Sequence, residues 1–350
     1  MPCLFAAFEI CHRSHSPLCF LLQIPKPTKI QVKIGQLIFS PLHKLILNPC
    51  LMSRINYAAI DIGSNAVRLL IKSISSEAVG KQQFKKILLL RIPLRLGLDI
   101  FSDGELSERK ARKLERLMKA YRHLMKIYDV RYYRACATSA MRDAKNGTAV
   151  IRQIAENSGV NIEIINGREE ARIIYSNHLE CVADRHGAYL YVDVGGGSTE
   201  INFLCDGILQ SSVSYNIGTL RLLTGKVRDD EWQRMQLDLE TIARRVPHVN
   251  IIGSGGNINK IYRMASVKDT ISKRLPIDAL LRVYNALKDL TTEQRIERFS
   301  LKEDRADVIV PAAEIFLRIA NLVHAEFIHV PVIGLADGII DELYEQTNRK

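Results

Sequence analysis

Two short stretches constrain the fold more than anything else in the chain. "AAIDIGSNAV" (residues 58–67) and "YVDVGGGSTE" (residues 191–200) each run an apolar strand into Asp, any residue, Gly, and then small or hydroxyl residues. Glycine weakens a strand unless the backbone must turn tightly or approach something closely. One such loop is an ordinary hairpin. Two, 132 positions apart from Asp61 to Asp193, indicate a duplicated device. In both, β-branched and apolar residues continue beyond the loop, so the element that follows is a strand. Nucleotide loops of the GxGxxG and GxxxxGK[ST] types instead lead into a helix, and neither motif is present.

The elements around the loops repeat. The first half reads βββαβαβα, with "KKILLLRIPLRLG" as a third strand leaving the sheet at Pro93. The clearest helix lies over 105–128, where Leu114, Leu117, Met118, Tyr121, Leu124 and Met125 keep helical spacing and Ser107 stands as N-cap. Helices are expected at 147–158 and 168–183, with "VNIEIING" as a strand between them. The second half restarts with three strands, turning at Asp206-Gly207. Helices then follow at 218–225 and 229–245, the strand "VNIIGSGG", and helices near 257–266, 277–289, 291–298 and 305–324. "EFIHVPVIG" is the last strand before a closing helix. The chain is therefore read as α/β, two mixed sheets flanked by helices with a cleft between them.

Residues 1–51 differ from the rest. They hold six of the 11 prolines and four of the seven cysteines, with five Lys/Arg against one acid, Glu9. They are expected to be an extension outside the fold, and the chain's activity is expected to survive their deletion. The domain expectation is 1–51 as extension, 52–178 as a first domain, and 179–350 as a second. The second carries a further glycine loop at 253–256, and its last helix packs back on the first domain. Cys136, Cys181 and Cys205 are widely spaced without zinc-site spacing, which fits free thiols in a reducing cytoplasm. No apolar run reaches membrane-helix length, so no membrane partner is expected. The net charge of +11 is spread among paired acids. With no recognition motif or aromatic-interleaved basic stripe, nucleic acid is not an expected partner. Excess positive charge would favour capture of a polyanion.

Two hairpin tips facing one another would present backbone N–H groups to anionic oxygens. Acids beside each tip repel phosphate unless a hard cation lies between, so Asp61, Asp193 and Glu200 are candidate ligands for Mg²⁺ or Mn²⁺. "NGREEARIIY" supplies Glu169 and Glu170 as acids able to activate water, and "ATSAMRD" supplies Arg142 as a phosphate clamp.

Taken together, "AAIDIGSNAVRLLI", "RLGLDIFSDGELSE", "ACATSAMRDAKNG", "INGREEARIIY", "YVDVGGGSTEI" and "RADVIVPAAEI" resemble the exopolyphosphatase/guanosine-pentaphosphate phosphatase (Ppx/GppA) family, in order, over about residues 55–345. The resemblance implies two actin-like (ribonuclease H-like) domains, in a short form without the C-terminal helical region of longer members. It implies that Glu170 is the base activating water, that Asp193 and Glu200 are tied to magnesium, and that Arg142 lies near the substrate phosphates. Gly63, Ser64 and Asn65 match the first phosphate loop; Gly195, Gly196, Gly197 and Ser198 match the second. Arg68, in the strand after the first loop, could face the phosphates. Asn257, Ala336 and Leu98 depart from the family's usual Thr, Arg and acid. The implied activity is release of orthophosphate from the end of inorganic polyphosphate or, alternatively, of the 5′ terminal phosphate of guanosine pentaphosphate (pppGpp). A homodimer is also implied. A kinase of the same superfamily and a non-catalytic nucleotide-binding module are the other readings. The first lacks a second-substrate signature, and the second is disfavoured by the intact acids of "REEAR".

Overall fold

A computed structural model describes residues 54–75, 84–178, 187–331 and 333–348. The extension 1–51 and Cys181 lie outside these residues. The first sheet begins with an antiparallel meander: β1 (Arg54–Ile62), β2 (Val67–Ser75) and β3 (Lys85–Ile92). Then come α1 (Leu96–Asp103), α2 (Glu108–Ile127), β4 (Val130–Ala137), α3 (Ser139–Asp143), α4 (Gly147–Ser158), β5 (Glu163–Ile164) and α5 (Gly167–His178). Strand order is β3-β2-β1-β4-β5, with β4 and β5 parallel to β1.

The second sheet repeats this plan. β6 (Ala188–Val194), β7 (Thr199–Cys205) and β8 (Ile208–Tyr215) form the meander, followed by α6 (Thr219–Leu223), α7 (Asp229–Arg245), β9 (Val249–Ser254) and α8 (Gly256–Met264). β10 (Arg274–Pro276), α9 (Ile277–Lys288), α10 (Thr292–Phe299), α11 (Glu303–Ala306), α12 (Ile309–Leu322), β11 (Phe327–His329) and α13 (Leu335–Asn348) complete the chain. Read from the other edge, β8-β7-β6-β9-β11 matches the first sheet strand for strand, and β10 adds a sixth. This is the two-lobed actin-like arrangement.

Local chemistry explains most elements. Ser107 caps α2 by accepting from the Lys110 N–H. Asp206 and Gly207, at φ 52° and 73°, form the tight turn that joins β7 to β8. The helix expected over 305–324 is broken at Asp307–Val308. α12 starts afresh, with Pro311 in its first turn, where a missing N–H costs nothing.

α1 was not expected, because "KKILLLRIPLRLG" reads as a strand that exits the sheet at Pro93. Tertiary contact overrides propensity here. The Gly97 N–H donates to the Ser64 carbonyl at 2.9 Å and the Arg95 N–H to that of Asn65 at 2.9 Å, so the start of α1 is bonded to the first loop. "VNIEIING" shrinks to the two residues of β5, and β10 is too short to be seen in the sequence.

Each lobe has its own apolar core, one including Ile60, Leu69 and Leu114, the other Leu190, Ile251 and Phe316. α13 packs on the first lobe: Ile339 and Ile340 join Tyr57, Leu70 and Ile173 in a third cluster. Among the described residues no helix is long and apolar enough to cross a membrane.

Candidate active site

The two hairpin tips are built alike. In the first, Gly63 N–H donates to Ala66 O at 3.2 Å; in the second, Gly195 N–H donates to Ser198 O at 2.9 Å. The tips meet: a Cβ placed on Gly196 would lie 2.9 Å from Ser64 Cβ and 3.2 Å from the Asn65 amide nitrogen. Only glycine permits that approach. Among the described residues, the amides of Ser64, Asn65 and Gly196, all on the cleft wall, donate to no acceptor in the chain, which leaves them for an anion. Two side chains expected to face phosphate are otherwise engaged. Ser64 Oγ bonds Ser139 Oγ (2.9 Å) and Asn65 Nδ2 donates to Asp304 O (3.1 Å). Gly197 turns its Cα hydrogens towards Phe101 and Ser139, so its role is packing.

The hairpin registers set the electrostatics. Asp61 stands directly opposite Arg68, and Asp193 directly opposite Glu200. The first pair neutralises itself, with Arg68 Nη1 2.6 Å from Asp61 Oδ2. Arg68 lines the cleft with its guanidinium turned on Asp61, and Asp61 already has a counter-ion. The second pair is two like charges face to face, which costs free energy unless a cation intervenes. Burial and then Glu200 push the Asp193 carboxyl up to about 7. Gly255, at φ 98°, brings the third glycine loop so close that a Cβ there would sit 2.7 Å from Asp193 Oδ1. Ser214 Oγ holds Glu200 Oε1 at 2.8 Å.

Glu170 enters the same cleft from the first turn of α5. Its neighbour Glu169 turns outward to Arg134 at 2.6 Å, so the two adjacent acids separate. Glu170 is 6% exposed. Burial, followed by Glu200, raises its carboxyl well above the ordinary range, and Arg142 partly offsets this. Arg142 does not line the cleft. Its Nη1 donates to Ile165 O (2.8 Å) and to Glu170 Oε2 (3.3 Å), so it holds the acid from behind rather than clamping phosphate. When all four acids Asp61, Glu170, Asp193 and Glu200 are ionised they meet two guanidiniums, Arg68 and Arg142, leaving an excess of two negative charges. That excess fits one divalent cation. Among the described residues no three acid, His or Cys side chains close into a ready-made cage. The facing carboxylates of Asp193 and Glu200 are the donor type a hard divalent cation takes when it keeps most of its waters.

The far end of the cleft, of about 320 Å³, is basic and was not assigned from the sequence. Arg305, Arg91, Arg263 and Lys86 line it. Arg305 is held to Asn257 Oδ1 at 2.6 Å. Burial, then Arg91 and Arg68, lower its pKa to about 9. Arg91 is paired with Asp304 at 2.5 Å.

A second residue missed in the sequence is Arg221. Its Nε donates to Gly197 O at 2.8 Å, its Nη2 pairs with Asp143 of α3, and its plane lies 4.2 Å over the Phe101 ring of α1. It therefore braces the second loop against the lobe that holds Glu170. Arg221→Met is expected to lower kcat by about 10²-fold through loop displacement, with KM little changed. A raised KM at unchanged kcat in steady-state assays would place Arg221 in substrate binding instead.

The Ppx/GppA phosphatase family model matches residues 73–347. The chain belongs to this family. It is 26% identical over 281 residues to Exopolyphosphatase 2 of Mycobacterium tuberculosis, covering 74% of this chain and 88% of that protein. A crystal structure of the Aquifex aeolicus Ppx/GppA family member superposes with a TM-score of 0.65 at 26% identity, covering 84% of this chain and 99% of that one. An exopolyphosphatase from Cytophaga hutchinsonii has the same fold, with a TM-score of 0.72 at 22% identity, 83% of this chain and 98% of that one being covered. As a Ppx/GppA phosphatase the chain is a hydrolase.

Proposed function

We propose that this Ppx/GppA phosphatase is a divalent-metal-dependent exopolyphosphatase of the cytoplasm, releasing orthophosphate from the end of inorganic polyphosphate. The observation that carries this is the polarity of the cleft. At one end buried carboxylates crowd together and their proton affinities rise; at the other, arginines crowd and that of Arg305 falls. Asp193 and Glu200 face one another without a cation between them, and Arg305 is held by the neutral Asn257 rather than by a carboxylate. A cation beside the terminal phosphate and a run of phosphates beyond it supply the opposite charge at each end.

The loop amides of Ser64, Asn65 and Gly196 hold the terminal phosphoryl oxygens. Arg305, Arg91 and Lys86 draw in the remaining polyanion. Asp193 and Glu200 are the residues that would hold Mg²⁺ or Mn²⁺, which when bound neutralises phosphoryl charge. Glu170 takes a proton from the attacking water as its oxygen bonds to phosphorus and the bond to the bridging oxygen breaks. The leaving chain carries that oxygen away one phosphate shorter.

The basic end also suits the 3′ and 5′ phosphates of pppGpp, the second reading. Orthophosphate release from long-chain polyphosphate and from pppGpp, measured side by side with Mg²⁺, separates the two. Faster release from polyphosphate is expected. Release from neither refutes both.

A further inference from the structure

Behind the catalytic acids, on the face of Glu170 and Glu200 away from the cleft, lies an open hollow of about 450 Å³. Arg142, Arg168 and Arg234 line it, together with Gly167 at the start of α5. Its one acid, Asp238, already accepts from the Tyr215 hydroxyl at 2.7 Å. Arg168 is exposed and pairs with no carboxylate among the described residues. Arg142 spends Nη1 on Glu170 and Ile165, and its Nη2 lies beside Gly167. The Ser212 hydroxyl, also on the wall, is buried without a hydrogen-bond partner. Arg234 already pairs with Glu231 at 2.8 Å and donates to Ser214 O at 3.0 Å, so on this wall, open to solvent, Arg168 is the guanidinium left without a carboxylate partner among the described residues.

We propose that this hollow is a second anion site, distinct from the substrate cleft, that takes one free tetrahedral oxyanion of the orthophosphate or sulfate class. A polyphosphate chain already in the cleft cannot supply it, since it would have to pass the buried carboxylates of Glu170 and Glu200. The occupant therefore enters from bulk solvent. Orthophosphate, the reaction product under the function proposed above, is the natural one. An anion bound there competes with Glu170 for Arg142, so occupancy in the rear slows chemistry in front without blocking substrate.

The test is calorimetric titration of the full chain with sodium sulfate, which requires no turnover. Arg168→Gln, at an exposed position, is expected to weaken one sulfate site by about tenfold, the loss of one charge-assisted contact. Adding Arg234→Gln abolishes that site, and Arg305→Gln leaves it in place. Sulfate binding that is unaffected by the double substitution, or removed by Arg305→Gln alone, overturns the proposal. In turnover assays, sulfate inhibition is expected to be mixed in the wild type and purely competitive in the double variant. A protein with this site that releases no phosphate from polyphosphate or pppGpp would contradict the hydrolase reading and leave the rear site standing.

Discussion

Replacing Glu170 by Gln is expected to lower kcat by about 10²–10⁴-fold, the usual share of a positioned general base, while leaving KM nearly unchanged and without lowering the melting temperature. The amide keeps the shape of the side chain and can still meet Arg142, but it takes no proton. Three features single out Glu170 from its neighbour Glu169: it is buried, it faces the cleft, and it is backed by Arg142. Glu169→Gln, which only loosens a pair with Arg134, is expected to cost less than about tenfold, in keeping with the small worth of partly exposed ion pairs. Steady-state phosphate release by both variants checks this. Near-normal turnover by Glu170→Gln would remove it from the role.

The second large effect is that of divalent metal, and its sign with pH follows from Asp193. Folding raises that carboxyl to about 7, against about 3.9 in an unfolded chain. The metal-free folded state therefore binds more protons than the unfolded one between about pH 4 and 7, and loses stability as pH rises through that window. For Asp193 alone the loss is of order 4 kcal/mol; Glu170 and Glu200 shift in the same direction. A cation opposite Asp193 and Glu200 removes the penalty. Saturating Mg²⁺ is accordingly expected to raise Tm by about 5–10 °C at pH 8 and to change it little at pH 5. Scanning calorimetry with and without Mg²⁺ checks both limbs. Chelation of divalent ions at pH 8 is expected to reduce phosphate release by about 10³-fold, equivalent to several kcal/mol of lost charge stabilisation. Equal Tm shifts at the two pH values would show that the carboxylates are not what the metal relieves.

What could be read from the sequence was local. The Asp-x-Gly hairpins, the Asp206-Gly207 turn and the Ser107 cap each depend on a few adjacent residues, and each forms as its chemistry requires. The pairing of Asp61 with Arg68 was also within reach: across a four-residue loop, positions seven apart face one another, as do Asp193 and Glu200. That difference between the lobes makes the second loop the one that lacks a counter-charge.

The rest depends on contacts between segments distant in sequence. α1 forms against the first loop despite Pro93 and Gly97. Arg142 follows a strand end, as a clamp would, yet its guanidinium turns to Ile165 and Glu170. Arg221 and Asp143 are 78 residues apart, and no local pattern joins them. Arg305 sits inside "RADVIVPAAEI", a motif that identifies the family without saying where this side chain points.

The central claim is that the two loops and the buried acids form one site for a metal and a phosphoryl group. A crystal structure of the protein grown with Mg²⁺ and sulfate tests it most directly. The account predicts a metal bound directly or through water by Asp193 or Glu200, an oxyanion on the amides of Ser64, Asn65 and Gly196, and the Glu170 carboxyl facing that oxyanion. Metal and sulfate bound elsewhere with the cleft empty, or Glu170 directed to bulk solvent, would contradict it.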